Sequence, residues 1–564
     1  MIAKRVPDAG RLLSIDFHVC EGLSIPHTET ARRSDFLLRS RLHSSNARYG
    51  PIKPLLASRC HNRAFTHSLR QRERTLDMPI NRWRLSLPAT LLLASANLAT
   101  AQAIPARLSA AQAQQDFDVA RRSLEEAHGA LYRFTPKPEL DRKFDDLRAR
   151  ANREMSRREF FGLVNELLVA TGDGHARADQ DDSTTAELDR ALRFPLNVVL
   201  EGTRLMVTSN ATQDDSIIRP GMEIISVNGH SVDELLARIM PTIRRDGFIE
   251  TGRRVTLGSS FPFRYWLNVD TSSRYAITAR TLGGATVSAT LPGVLAAQRS
   301  ANISNNPVNS AYRAALARIA EPPENISLRF VSDSQVALLK VRSFVGTGFL
   351  ASLDSAVTLA VDRRTPAMIL DLRGNSGGTD MFGAKLVSQF TDKPFRYFDY
   401  IHLTSIAPSF ATWLPRTFES TRAGTAPHSA GGYRVTPELH EGVTEQQPAV
   451  RPFLGKLVVL IDGATFSTAA DVTAVLRSMT RATFMGEETG GAYEGNTSGL
   501  NASVVLPNSR FKVFVQMYGY VNAVRAGLKG RGTLPDIEIA RKTEETLRGI
   551  DAALERAVLV ARMP

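Results

Sequence analysis

Twice in the second half of the chain, an apolar run just long enough for one buried strand stops at a turn of small residues and continues with helical spacing. The first junction is "AMILDLRGNSGGTDMFGAKLVSQF" from Ala367, and the second is "VVLIDGATFSTAADVTAVLRSM" from Val458 to Met479. Strands that alternate with helices in this way read as a largely parallel sheet with helical crossovers, because parallel neighbours need a long connection. Both turns then lie at the same end of one sheet, beside two helix beginnings with unpaired amides.

Glycines at 374, 377 and 378 let the first turn take left-handed backbone angles and aim amide hydrogens at a ligand with no Cβ in the way. A nucleotide phosphate is disfavoured, since neither GxxxxGK[ST] nor GxGxxG is present. The second turn carries a lone serine, Ser467, where the chain enters its helix. A serine there can simply cap the helix, a role worth about 1 kcal/mol. Alternatively, the amides of Gly377, Gly378 and Thr468 surround one point and form an oxyanion hole beside a Ser467 nucleophile, each donor lowering a barrier by roughly 3 kcal/mol.

The chain has 564 residues and a formal charge of +13, with 43% apolar residues, enough for several cores. The charge is not spread evenly. Residues 1–77 carry 14 Lys/Arg against 7 Asp/Glu, and 78–101 add Arg82 and Arg84 with no acid, which leaves only +4 on residues 102–564. No nucleic-acid partner is expected from that balance. The segment "MPINRWRLSLPATLLLASANLATAQA" from Met78 has the layout of a secretory signal: Arg82 and Arg84, an apolar run over Leu85 to Leu98, then Ala99-Thr100-Ala101. The run is shorter than the ~20 residues of a membrane span. Residues 78–101 therefore read as a signal peptide, and residues 1–77, which hold both cysteines (Cys20 and Cys60), as a disordered and misassigned upstream extension. The expected product is periplasmic or secreted, without cysteine and without stable membrane insertion after signal removal.

Residues 102–180 show helical periodicity and form an expected N-terminal helical domain, with Pro136 and Pro138 separating two helices and "ATGDGHARA" closing it. Residues 190–303 switch to strand spacing. There "SIIRPGMEIISVNGHSVDELLARI" resembles the central segment of a PDZ domain, usually GDxIxxVNG, with Met222 where aspartate is usual. The resemblance implies a fold that takes extended peptides along a sheet edge. Residues 304–564 make the core, interrupted by a Pro/Gly/Ser/Thr-rich stretch over 404–452 that reads as a lid over a cleft.

Together "ILDLRGNSGG", "IDGATFSTAADV", "RATFMGEETGG" and the closing "GRGTLPDIEI" resemble the peptidase family that includes C-terminal processing (tail-specific) proteases, the tricorn protease core and interphotoreceptor retinoid-binding protein. The resemblance implies an α/β fold with a crotonase-like (ClpP-like) spiralled ββα core, and a Ser467 that attacks a peptide carbonyl to give an acyl-enzyme. A serine hydroxyl needs a base. In tail-specific proteases the base is a lysine in GExTFGKG, and Ala492 stands at that position here. The tricorn branch uses a histidine before the accessory domain, and His175 in "GDGHARA" occupies the matching place, with an imidazole suited to base work near neutral pH; otherwise His175 is an exposed loop residue without a role. Where the tricorn branch has its supporting glutamate, this chain has Lys529, which leaves Glu487 and Glu488 as candidate supporting acids.

The expected function is that of a secreted or periplasmic serine endopeptidase, with Ser467 as nucleophile, His175 as general base and peptide or unfolded protein as substrate. No metal or organic cofactor is expected, no HExxH-type ligand cluster being present. The alternative is a non-catalytic protein of the same fold that carries an apolar ligand or peptide. Assembly state is not legible.

Overall fold

The computed structural model describes residues 107–563 apart from 214–216, 332, 334, 411–413, 415–417 and 528. The expected signal peptide, the upstream extension and both cysteines lie outside the described residues. Among the described residues no helix is long and apolar enough to cross a membrane.

Three helices open the described chain: α1 (Ala110–Ala127), α2 (Lys137–Arg150) and α3 (Arg157–Ala170). Ser109 and Ser156 start α1 and α3 through capping boxes with Gln112 and Glu159, in which side chain and backbone satisfy each other's free amides. Their apolar faces, among them Phe117, Leu124, Phe160, Val164 and Leu167, are buried. An antiparallel sheet follows, from β1 (Leu196–Glu201), β2 (Arg204–Asn210), β3 (Glu223–Val227), β4 (Arg274–Arg280) and β5 (Thr286–Pro292), in that order across the sheet. Asn228 and Gly229, at φ 50° and 81°, make the turn after β3. Ser231 then caps α4 (Val232–Ile239), and α5 (Thr251–Asn268) packs against the sheet. This part has its own core around Phe194, Phe261, Tyr265 and Tyr275.

The second half is an α/β unit. Its six strands are β6 (Ile326–Val331), β7 (Val336–Val341), β8 (Ala367–Asp371), β9 (Lys456–Ile461), β10 (Thr483–Gly486) and β11 (Ile537–Glu538), which lie side by side in sequence order. Only β6 and β7 are antiparallel, and all later pairs are parallel. The strand period of two assigns Val336, Leu338, Ile369, Val458 and Leu460 to one face and Ala337, Leu339, Leu370, Val459 and Ile461 to the other. On the first face lie Ala557, Val560 and Ala561 of the last helix (Ala552–Arg562). The second face shares one continuous core with α1 and α3. Crossover helices α6 (Phe349–Asp362), α7 (Asp380–Ser388) and α8 (Thr468–Met479) complete the unit.

The stretch over 404–452, expected as a lid, contains a helix (Phe418–Ala423) and strands Thr425–Pro427 and Tyr433–Val435; the second of these pairs with Phe398–Leu403, which also pairs with Gly519–Asn522. Paired strands satisfy the backbone groups that a free loop would leave to water.

At the end of β8 the buried Asp371 meets Lys340 at 3.2 Å and Arg373 at 2.8 Å, and Arg373 bridges to Asp551 at the start of the last helix. Burial opposes ionisation of Asp371, but the two cations outweigh it and hold its carboxyl well below the usual carboxylate range. Its stabilising contribution is thus fully present above the unfolded-state value near 3.8 and disappears as the pH falls through the folded-state value. Asp371→Ala, which leaves Lys340 buried without its counter-charge, is expected to lower the unfolding free energy by about 3–5 kcal/mol in urea titrations at pH 7. A loss under 1 kcal/mol would show that Asp551 alone neutralises the cluster.

Candidate active site

The two turns are stapled to each other by their own polar residues. Asp462 Oδ1 accepts from the amides of Gly374, Ala464 and Thr465, at 3.0, 3.0 and 3.1 Å. The buried Asn375 accepts from the Gly377 amide at 2.9 Å, donates to Val341 and receives the Phe466 amide at its carbonyl. Thr468 Oγ1 donates to the Gly378 carbonyl at 2.8 Å. Glycine is required at 377 because a Cβ there would stand 2.7 Å from Ser467 Cβ.

Ser467 differs from the serines that cap α1, α3 and α4. Its side chain makes no capping bond, and its φ of 52° and ψ of −131° lie where non-glycine residues are strained. The capping role is therefore replaced by another: Oγ lies 3.1 Å from His175 Nε2. Among the described residues the Gly378 and Thr468 amides have no partner, whereas the Gly377 amide is spent on Asn375 and Gly377 itself is the glycine packed against Ser467. That removes Gly377 from the expected donors.

His175 reaches the second half of the chain by strand pairing. The residues that follow it, Arg177–Asp179, pair antiparallel with Lys512–Gln516, and Gln516 Nε2 donates to the His175 carbonyl at 2.9 Å. The ring packs on Phe466 with centroids 4.5 Å apart, and Nδ1 has no hydrogen-bond partner. Asp173 fixes the loop: Oδ1 accepts the His175 amide at 2.7 Å and lies 3.8 Å from Nδ1, while Oδ2 meets His128 Nε2 at 2.8 Å. Burial pushes the His175 imidazole down to about 4, with the Asp173 charge opposing and Arg244 adding to the fall. Burial raises the Asp173 carboxyl, but His128 and His175 outweigh it and hold it down to about 2.

Glu487 and Glu488 are engaged elsewhere. Glu488 forms a fork with Arg531, at 2.8 and 2.7 Å, and accepts the Gly532 amide; Glu487 faces Arg254 at 3.7 Å and is raised by burial. The carboxylates that do stand near His175 are Asp173 and Asp246, and sequence reasoning singled out neither. Asp173 was visible two residues before His175, a spacing at which an aspartate accepts a backbone amide. Asp246 gave no local signal, being 71 positions away. It accepts the amides of Gly174 at 2.7 Å and of Ala492 at 3.1 Å. Burial, then the Asp173 charge, pushes Asp246 up to about 7. Asp173, His175 and Asp246 place ligand-type atoms within 4.8 Å of one another. Backbone amides, His128 and Ser467 already engage these atoms, with His175 Nδ1 the exception.

A serine hydroxyl against an imidazole, beside two free amides at the strand ends of an α/β unit, is the working arrangement of a serine-type peptidase, and that is the class of this protein. Residues 335–539 match the model of Peptidase family S41. Among solved structures, mature CPAF is similar with a TM-score of 0.55 at 16% identity, covering 80% of this chain and 97% of that one. CPAF complexed with lactacystin gives 0.55 at 16%, covering 80% and 98%. The photosystem II D1 C-terminal processing protease gives 0.37 at 15%, covering 78% and 98%, which is too distant to carry an argument. At these identities the likeness shows the fold. No curated protein matches the chain by sequence.

Proposed function

We propose that the protein is an exported serine endopeptidase that works through a Ser467 acyl-enzyme. The observation that carries this reading is the 3.1 Å contact between Ser467 Oγ and His175 Nε2. Nε2 can take the hydroxyl proton only in the tautomer with hydrogen on Nδ1, and Asp173, at 3.8 Å, is the acid next to that hydrogen. The peptide carbonyl settles with its oxygen toward the Gly378 and Thr468 amides. Oγ attacks the carbon, His175 accepts the proton, and the two amides hold the charge that forms on oxygen. His175 then passes the proton to the leaving amine, and water, activated by the same ring, releases the acid and restores Ser467. Asp173 favours the imidazolium formed in between. The sheet Leu196–Pro292, with its helix Val232–Ile239, suits a PDZ-like role of presenting an extended peptide.

A fluorophosphonate tests the nucleophile directly. Incubation of the full chain should add one phosphonyl group, and peptide mapping should find it on Ser467. An unmodified protein, or an adduct on another residue, would remove the basis for the acyl-enzyme and leave a binding protein of the same fold.

A further inference from the structure

A cavity of about 210 Å3 opens next to the two free amides, walled by Gly378, Thr468, Asp380, Asp471, Asn496 and Tyr520 among others. We propose that this cavity receives the side chain of the residue that supplies the scissile carbonyl, and that Asp471 and Asp380 make it select a basic one. The proposal rests on the acyl-enzyme reading.

Position gives the first half of the argument. A carbonyl oxygen held by the Gly378 and Thr468 amides has its own Cα one bond from the carbonyl carbon, so the side chain on that Cα enters the space those two residues border. The volume suits a long side chain, a single water taking about 30 Å3. Charge gives the second half. Asp471 lies four residues after Ser467, one turn down the same face of α8, about 5.4 Å on, within reach of the four-carbon stem of a lysine. It is 1% exposed and accepts from Asn496 Nδ2 at 2.7 Å and Asn522 Nδ2 at 3.0 Å. Asp380, the first residue of α7, accepts its neighbour's amide and meets His440 Nε2 at 2.9 Å. No Lys or Arg lines the cavity. Burial and the nearby acids push Asp471 up to about 7, the condition of a carboxyl that lacks a cation. An incoming ammonium or guanidinium restores its ionised form and is held by a charge-assisted bond in a site shielded from water. A neutral side chain leaves Asp471 without a counter-charge, and an acidic one is repelled.

The test uses peptidyl diphenyl phosphonates identical except for a lysine-like, norleucine-like or glutamate-like side chain next to phosphorus, with adduct formation on the full chain followed by intact mass. The lysine-like probe should react about tenfold or more faster than the norleucine-like one, with the glutamate-like probe slowest. In Asp380→Asn and in Asp471→Asn the lysine to norleucine ratio should fall to about threefold or less. That ratio is internal to each variant, and Asp380, only partly buried, keeps the test available should Asp471→Asn not fold. Equal or reversed rates in the wild type, a ratio unchanged in Asp380→Asn, or no reaction with any peptidyl probe while a small fluorophosphonate still labels Ser467, would each overturn the selectivity and leave the nucleophile standing. Failure of the small fluorophosphonate itself removes the acyl-enzyme, and this proposal with it.

Discussion

Ser467→Gly is expected to abolish peptide hydrolysis, by about six powers of ten in kcat, and yet to be more stable than Ser467→Ala by about 1–2 kcal/mol. The loss follows from removal of the atom that becomes acylated, and the alanine variant should share it. The stability difference has another source. In ordinary backbone conformations glycine is the weaker choice by about 0.5–1 kcal/mol because the unfolded chain gains freedom. At φ 52° and ψ −131° the sign reverses, since a Cβ there crowds the backbone and glycine does not. Both variants lose the same bond to His175, so their comparison isolates the strain. The site holds the serine in that conformation because its neighbours dictate it: Asn375 fixes the amide of Phe466, Thr468 is tied to Gly378, and Gly377 packs on the serine Cβ. Urea unfolding of the two variants measures the difference. A glycine variant no more stable than the alanine variant would mean that the turn relaxes freely and stores nothing for catalysis.

The features most legible in the sequence were those set by local chemistry. Apolar runs of strand length, broken by glycine and followed by helical spacing, marked β8 with α7 and β9 with α8, and the serine at the second junction stood out because small polar residues at helix starts have few roles. His175 was legible only through the resemblance to the tricorn branch, which gained weight once Ala492 stood where tail-specific proteases have their lysine. What stayed hidden depends on distance along the chain. Asp246 reaches the site through bonds to Gly174 and Ala492, neither adjacent in sequence, and nothing in "RRDGFIE" marks it. Glu487 and Glu488 became candidates because Lys529 stands where the tricorn branch has its supporting glutamate, but the strand β10 directs them toward Arg254 and Arg531. The donor pair was over-counted for a similar reason: glycine spacing shows which amides are free to turn, not that a side chain such as Asn375 has taken one of them. The capping serines at 109, 156 and 231 share with Ser467 a place before a helix, and backbone angles and side-chain partners, not local sequence, separate the four.

His175→Ala is expected to slow acylation of Ser467 by about four to six powers of ten. Without the imidazole the hydroxyl proton has no acceptor, while the Gly378 and Thr468 amides still lower the barrier and account for what remains. The wild-type pH dependence follows from the same burial. An imidazole held down to about 4 stays unprotonated, and so able to accept, through the whole neutral and weakly acidic range. The acid limb of kcat/KM, which reports the free enzyme, should therefore fall near pH 4 rather than near the ordinary value of about 6.5. Stability carries the same signature with a definite sign. Between about pH 6.5 and pH 4 the unfolded chain binds a proton at residue 175 and the folded chain does not, so acidification through that window costs stability. His175→Ala should flatten that part of the curve, measured as the denaturation midpoint against pH. A kinetic limb near 6.5 with an unchanged stability curve would place the imidazole in water in the working enzyme, and the close contact with Ser467 would then have to form only when substrate closes the site.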